Sequence, residues 1–453
     1  MQGRIYIKDL KDYIGKEVFV AGWVDVRRDQ GKMVFFDIRD MTGKAQCIVL
    51  TNHINEVDQN LLSQGFGGSK EIRPEWVLKV TGMVNKRPEK NVNKGILNGD
   101  VELEIIGIDV LSKAVDLPFN LNEEVNLDTY LDNLPYTLRS ERAKDIFIMQ
   151  STILEAYRSS LRNQGFIEFM SPGIVGGDAE GGAAVFSVDY FNDHKAYLAT
   201  SPQFYKQIMV GAFERSCTIA KAFRAEKSAT TRHVSEATQM DFEMGFIENE
   251  REPMKVLENT IRDTVRVVAE KHRDIFERFN TTIPEIPDEI PVFTLADAQA
   301  LVAKEYSRII EDTNDMSPED ERQICEYVKK NLHSDFVFIT RFPTKKRAFY
   351  TYEDPSEAPL SRGFDLLFRG LEINSGAQRI HDYDELVKRI KERGMDSEKF
   401  AYYLQTFKYG MPPHGGSSTG LERFTARMLE LQNIKEATAF PRDMTRIDSR
   451  LSA

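Results

Sequence analysis

Residues 362–381 read RGFDLLFRGLEINSGAQRIH, and this stretch constrains the fold more than any other. Phe364, Leu366, Leu367 and Phe368 form a short apolar run interrupted by Asp365, the pattern of a buried strand over residues 365–371. Glu372 and Ser375 follow where that strand is expected to end, at a turn containing glycine, and Arg379 lies just beyond. Two carboxylates and a hydroxyl grouped in this way are hard oxygen donors suited to Mg²⁺ carrying a nucleotide phosphate. A guanidinium beside them suits a carboxylate or phosphate, because its fork binds two oxygens at once. On this stretch alone, a strand edge with a solvated salt-bridge cluster would read the same way.

Further strand-like runs surround it: GFIEFMSP, KAYLATSP, SCTIAKAFRAE, ATQMDFEMGFI and FVFITRFP. They alternate with helical ones such as EPMKVLENTIRDTVRVVAEKH, DELVKRIKERG and LERFTARMLEL. Neither G-x-x-x-x-G-K-[ST] nor G-x-G-x-x-G occurs, which argues against a Walker or Rossmann nucleotide site. Residues 143–453 therefore form an α+β domain, with a helical insertion at about 285–335 in which no chemistry is evident. A helix is expected from about Ala143 to Gln164, with Ile146, Ile148, Ile153, Leu154 and Leu161 at helical spacing. Residues 109–142, rich in Asn and Leu, read as a hinge or connector with little regular structure.

Residues 1–108 are of another kind. Five short runs (GKEVFVAGWVDVRR, KMVFFDIRD, GKAQCIVL, PEWVLKVTGMVNKRP and VELEIIGIDVLSKA), with a helical stretch before the fourth, fit the OB-fold β-barrel, whose face binds single-stranded nucleic acid. Phe35 and Phe36 lie beside Arg27, Arg28, Lys32 and Arg39, and aromatics among cations suit base stacking with phosphate contact. In a barrel one of two adjacent Phe must point inward. The net charge of −11 argues against indiscriminate nucleic-acid binding without excluding local basic patches. No apolar run approaches the roughly 20 residues of a membrane helix, and MQGRIYIKDL lacks a signal pattern. Cys47, Cys217 and Cys325, widely spaced and odd in number, suit a reducing compartment, so the expected location is cytoplasmic and away from membranes.

Three more segments carry polar groups in suggestive order. GGDAEGGAAVF sets Glu180 between glycine pairs, like a lid. TSPQFYKQIM is followed by FRAEKSATTRHVSEATQMDFEM, in which Arg224 and Glu226, then Asp241 and Glu243, stand two apart on strands and share a face. HGGSSTGLERF is a Gly/Ser-rich strand opening a helix with Glu422 and Arg423 in its first turn; the glycines would admit a flat ligand. A hairpin with cross-strand salt bridges would explain the second of these segments alone.

SPQFYKQ, FRAE…TRH, MDFEM, GLEINSGAQRIHD, YGMPPHGG, GLER and FPRD together resemble the motifs of class II aminoacyl-tRNA synthetases, in the right order. With a barrel ahead of them, the resemblance is to the archaeal/eukaryotic-type aspartyl-tRNA synthetases, and it covers nearly the whole chain except the insertion. It implies an antiparallel-sheet catalytic domain flanked by helices, a homodimer formed through the first motif, ATP and Mg²⁺ as cofactors, L-aspartate as substrate and tRNA-Asp as partner, with tRNA-Asn left open. By resemblance Arg224 grips the α-phosphate, Glu226 the adenine side or the tRNA end, Arg232 and His233 the outer phosphates, and Arg423 stacks on adenine. The resemblance implies Arg224, Arg423 and Glu372 as the catalytic set. Asp365, Glu372 and Ser375 would place Mg²⁺ on the phosphates. Lys206 and Arg379 would hold the β-carboxylate, with Glu180, Gln203 and Asp241 on the α-ammonium and Ser375 beside them. Phe35, Gln46 and Arg28 would meet the anticodon.

Aspartate and asparagine have nearly one shape, so charge must separate them. By resemblance, Lys206 marks the aspartyl enzymes, and a buried cation left unpaired by an amide costs roughly 3–5 kcal/mol. Ser418 stands where the family usually has Gly, which bears on adenine seating; Asn374 and the AEGG lid are further small departures. Asp25 and residues 83–94 would govern reading of the third anticodon base. The rival readings are an asparaginyl-tRNA synthetase, an ammonia-using relative, and a non-catalytic tRNA-binding paralogue with an OB-fold.

Overall fold

A computed structural model describes residues 1–31, 33–95, 97–121, 123–177, 184–227 and 230–451. The chain divides into two compact units, residues 1–120 and 121–453. In the first, β1 (Glu17–Asp29), β2 (Val34–Asp40), β3 (Gly43–Val49), β4 (Val77–Lys86) and β5 (Val101–Ser112) close into a barrel in the order β1-β2-β3-β5-β4. Helix α1 (Ile54–Ser63) adds Val57 and Leu61 to its core. Strand alternation decides the two phenylalanines: Val34, Phe36 and Ile38 are fully buried, while Phe35 and Asp37 between them face outward.

Over residues 109–142 the structure has more order than expected. β5 continues to Ser112, and two short helices follow, α2 (Leu127–Asp132) and α3 (Leu134–Thr137). The Asn126 side chain accepts the Thr129 N–H at 2.9 Å to start α2, a local cap that hydrophobic periodicity does not register.

Helix α4 (Glu141–Asn163), capped by Ser140, buries Ile146, Met149, Ile153, Tyr157 and Leu161 and leaves Ile148 exposed. Four short strands follow, β6 (Ile167–Glu168), β7 (Ile174–Val175), β8 (Ser187–Asp189) and β9 (Lys195–Leu198), then α5 (Gln203–Phe213), β10 (Arg215–Phe223), β11 (Glu236–Gly245), α6 (Arg251–Lys271) and α7 (Arg273–Arg278). Next come β12 (Val292–Thr294), α8 (Leu295–Glu305), α9 (Pro318–Leu332) and β13 (Phe336–Thr340). The chain ends with β14 (Gly363–Phe368), β15 (Leu371–Arg379), α10 (Tyr383–Glu392), α11 (Ala401–Lys408), β16 (His414–Gly420) and α12 (Leu421–Met428).

Eight of these strands form one sheet in the order β12-β13-β14-β15-β16-β11-β10-β6, antiparallel from β13 through β10 with a parallel pair at each edge. The MDFEM run shows how the sheet sorts its residues. Met240, Phe242 and Met244 enter a core with Tyr157, Leu257, Ile261, Phe364 and Phe424, so the helices α4, α6 and α12 cover that face. Asp241 and Glu243 point the other way. The 285–335 segment contains α8 and α9 together with edge strand β12, and the two helices pack Val302, Ile324 and Val328 against Val337, Ile339 and Leu367.

The 362–381 segment is a hairpin rather than one strand. It turns at Arg369 and Gly370, with φ of 47° and 80°, and β15 carries Glu372, Ser375 and Arg379 along its length. Pairing runs Leu366↔Asn374 and then Leu367↔Glu372, so Ile373 is an extra, bulged residue. The bulge shifts the alternation by one and brings Glu372 onto the face shared by Ser375 and Arg379. In β16 the glycines serve packing: a Cβ on Gly416 would lie 2.1 Å from the Phe242 carbonyl oxygen, and one on Gly415 2.8 Å from that of Ala377. At Gly420 the nearest atom would be Arg423 Cβ at 3.7 Å, so only this glycine leaves room on the cleft side.

Candidate active site

The polar face of the sheet, with α5 and the first turn of α12, encloses a cleft of about 540 Å³. Its lining includes Gln203, Arg224, Glu226, Arg232, His233, Glu372, Ser375, Arg379, Ser418 and Arg423. Segments more than two hundred residues apart in sequence thus contribute to one wall.

One end is built on four buried charges. From α5, Lys206 is completely buried; its Nζ donates to Asp241 Oδ2 at 2.9 Å and to the Ser417 carbonyl at 3.2 Å, and lies 3.4 Å from Glu243 Oε2. Arg379 Nε donates to Glu243 Oε1 at 2.9 Å, and its Nη2 to the Gly416 carbonyl at 3.0 Å. Nη1 of Arg379 has no protein acceptor among the described residues, and the residue lines the cleft. Burial alone would raise the Glu243 carboxyl, but Arg379 and Lys206 outweigh it and hold it below the usual range. Ser418 Oγ donates to Asp241 Oδ1 at 2.7 Å, which ties this cleft-lining hydroxyl to the charge cluster. Two buried amide atoms at the cleft, Gln203 Nε2 and Gln239 Oε1, have no partner among the described residues. Buried polar atoms of this kind call for a partner from outside the chain, a water or a polar ligand.

Behind this cluster runs an ordered relay. Tyr403 donates its hydroxyl proton to Gln207 Oε1 at 3.0 Å, Gln207 Nε2 donates to His414 Nε2 at 2.8 Å, and His414 Nδ1 donates to the Pro412 carbonyl at 2.9 Å. This set of bonds fixes a neutral imidazole, and burial pushes His414 down to about 4.

The other end is dominated by guanidinium groups. Arg423 Nη1 donates to the Glu372 carbonyl at 3.0 Å and lies 3.5 Å from its carboxylate. Burial, then the charge of Asp365, raises the Glu372 carboxyl, against the pull of Arg423, Arg347 and Arg224. Both Asp365 oxygens are taken by Arg347, at 3.0 and 2.6 Å, and the same guanidinium donates to Ser375 Oγ at 3.1 Å. His233 accepts or donates at Thr230 Oγ1, 2.6 Å away, and is lowered by burial and then by Arg423. Arg232 Nη2 donates to Glu321 of α9 and to the Gly370 carbonyl at 3.2 Å.

Most of the sequence-derived residues therefore meet in one place. Lys206, Asp241 and Asp365 lie just beneath the cleft surface, each held by a charged neighbour, and Glu180 lies outside the described residues. Sequence reasoning paired Glu243 with Asp241 on one strand face but gave it no role, and it missed Gln239, Arg347 and Glu321. Gln239 and Glu243 had a signal, since both flank Asp241 at strand spacing. Arg347 and Glu321 come from segments whose only local pattern is helical or irregular, and the folded chain alone brings them here.

On the barrel, Phe35 pairs across to Arg28 and to Ile48, and Asp37 to Gln46. Arg28 forks onto Asp37 at 2.8 and 2.9 Å, while Gln46 bonds Glu102 at 3.0 Å and Arg87 at 3.3 Å. Phe35, Arg28 and Gln46 thus share the outer face of β1–β3. Asp25 is engaged with Lys44 at 3.0 Å and Arg39 at 3.8 Å.

Residues 126–444 match the family model described as tRNA synthetases class II (D, K and N), and residues 18–111 match the OB-fold nucleic acid binding domain. The chain is 40% identical to a Thermus thermophilus protein named aspartate–tRNA(Asp/Asn) ligase, over 98% of this chain and 99% of that one. It is 38% identical to the aspartate–tRNA(Asp) ligase of Thermoplasma volcanium, with the same coverage of 98% and 99%. Among solved structures, asparaginyl-tRNA synthetase from Pyrococcus horikoshii complexed with asparaginyl-adenylate aligns with a TM-score of 0.89 at 29% identity, covering 99% of this chain and 100% of that one.

Proposed function

The chain belongs to the class II tRNA synthetases of the D, K and N group, and from that premise we infer that it is an aspartate–tRNA ligase. It activates L-aspartate with ATP and transfers the aspartyl group to the 3′ end of tRNA-Asp. The observation that carries the substrate is the buried cluster of Lys206, Arg379, Asp241 and Glu243 under the cleft, with Gln203 Nε2 unpartnered beside it. Arg379 has one amino nitrogen available for a carboxylate. The α-carboxylate of aspartate is ionised at neutral pH and attacks the α-phosphorus in line, expelling pyrophosphate to leave aspartyl-adenylate, so no general base is needed. Arg224 and Arg423 would stabilise the charge that grows on the phosphate oxygens, and catalysis rests on positioning and electrostatics. Arg232 and His233 would hold the outer phosphates.

The carboxylate of Glu372, raised by burial and then by the charge of Asp365, is a hard oxygen donor that a divalent cation would fit. Mg²⁺ there would neutralise and orient the phosphates. Asp365 would serve it less directly, since both its oxygens are on Arg347, and no three acidic, His or Cys side chains converge as a ligand set among the described residues.

One observation favours a second reading, an asparaginyl enzyme: the four-charge cluster is already neutral, and Lys206 is fully occupied by protein groups. Amino-acid-dependent exchange of pyrophosphate into ATP separates the two. Exchange with aspartate and not asparagine is expected, and the reverse pattern would replace the assignment. Charging of tRNA-Asp and tRNA-Asn in parallel then reports whether the second acceptor is used. A homodimer is supported by exposed Ile167, Met170 and Ile174 in the first motif region; a single-chain mass in sedimentation would remove it. A cytoplasmic location is supported by three free, buried cysteines and by the lack of a membrane-length apolar helix among the described residues; fractionation of cells tests it.

A further inference from the structure

Glu321 belongs to none of the roles above, yet its carboxylate reaches the cleft wall. It sits in the first turn of α9, which is fixed by a reciprocal capping box: Ser317 Oγ accepts the Asp320 N–H at 3.2 Å, and Asp320 Oδ2 accepts the Ser317 N–H at 2.9 Å. Ile324 and Val328 on the same helix pack into the core beside β13. The carboxylate is therefore delivered by a rigid element. It accepts from Arg232 and, at 3.3 Å, from the Glu372 N–H at the start of β15.

Arg232 lines the cleft with Arg224, His233 and Arg423, but one arm of its fork, Nη2, is committed to Glu321 and the Gly370 carbonyl. Its side chain keeps 22% of its exposure, against 11% for Glu321, so the pair lies in the wall and is open on the arginine's side. A carboxylate and a phosphate offer a guanidinium the same two-oxygen edge, and a triphosphate offers it with more charge. We propose that Glu321 holds Nη2 of Arg232 in place of the nucleotide's outer phosphates, and that ATP must take this nitrogen from it to engage the two-nitrogen edge of the fork. Glu321 is thus a positioning residue that lowers the apparent affinity for ATP: the fraction of chains with Arg232 free sets the effective dissociation constant. The pair also keeps one of several neighbouring guanidiniums compensated before the ligand arrives. The inference rests on Arg232 being a phosphate-binding residue.

The test is pyrophosphate exchange by the full chain, with ATP and aspartate varied separately. Glu321→Gln keeps an oxygen for the Glu372 N–H and removes the charge that holds Arg232. It is expected to lower the KM for ATP by about three- to tenfold, leaving the KM for aspartate and kcat within about twofold. Arg232→Ala is expected to raise the KM for ATP, and adding Glu321→Gln to it should change nothing further. If Arg232→Ala raises this KM while Glu321→Gln leaves it unchanged or raises it, the holding role is overturned. If Arg232→Ala has no effect on it, the phosphate-binding role of Arg232 falls instead, and the inference with it. Should Glu321→Gln fail to fold by circular dichroism, Glu321→Asp withdraws the carboxylate by one methylene, and the same fall in KM is expected; an unchanged KM overturns the inference.

Discussion

At the scale of single residues, Lys206 acts through partners rather than through open charge. Glu243 is shared by Lys206 at 3.4 Å and Arg379 at 2.9 Å, and Asp241 is balanced by Lys206 at 2.9 Å. Without the ammonium, both carboxylates would turn on Arg379 and cancel the charge that a ligand carboxylate needs. Lys206→Met is therefore expected to raise the KM for aspartate at least tenfold, about 1.4 kcal/mol, and to leave the KM for ATP unchanged in pyrophosphate exchange. An unaltered aspartate KM would remove Lys206 from the selectivity of the site. The same substitution leaves two buried carboxylates short of a cation, so it should also destabilise the fold.

At the scale of elements, β16 is tied to α5 and α11 through His414, Gln207 and Tyr403. The imidazole titrates at about 4 in the fold because it is buried, against about 6.5 when unfolded. A histidine with a depressed folded value takes up its proton more readily when unfolded. Its contribution is therefore complete above about pH 6.5 and is lost as pH falls from there towards 4, on the order of 3 kcal/mol in all. His414→Gln should flatten this acid-side loss, read as the difference in urea midpoint between pH 7.5 and pH 5; an equally steep loss in the variant would assign it to other groups. Elements whose residues alternate between apolar and polar were legible in the sequence: the barrel strands, β11 and α4 all announce their buried faces. β15 was not, because Asn374, Ser375, Gln378 and Arg379 are polar and yet largely enclosed, held by hydrogen bonds to neighbouring strands. Nor could α9 be read as part of the site, since Glu321 meets Arg232 across 89 positions of chain.

At the scale of the whole molecule, the chain forms two compact units, and each has its own polar face. Phe35 stands half-buried outside the barrel while Phe36 fills its core. Phe35→Ala should reduce tRNA charging at least tenfold through loss of stacking worth about 1–3 kcal/mol, without changing pyrophosphate exchange. Equal losses in the two assays would contradict an anticodon role, and Phe36→Ala should instead unfold the barrel. The two ends of the cleft meet on one strand, and the bulge at Ile373 is what lets them do so. It divides β15 into two stretches of opposite parity. An evolutionary change of one residue in length between Glu372 and Ser375 would turn one end of the cleft inside out, while a change at the Arg369–Gly370 turn would leave that parity alone and instead break the bonds of Arg369 to Asp335, Thr281 and Thr282. In a lineage built on this sheet, indels are therefore filtered by whether they are odd or even, and the strand is a reading frame in three dimensions.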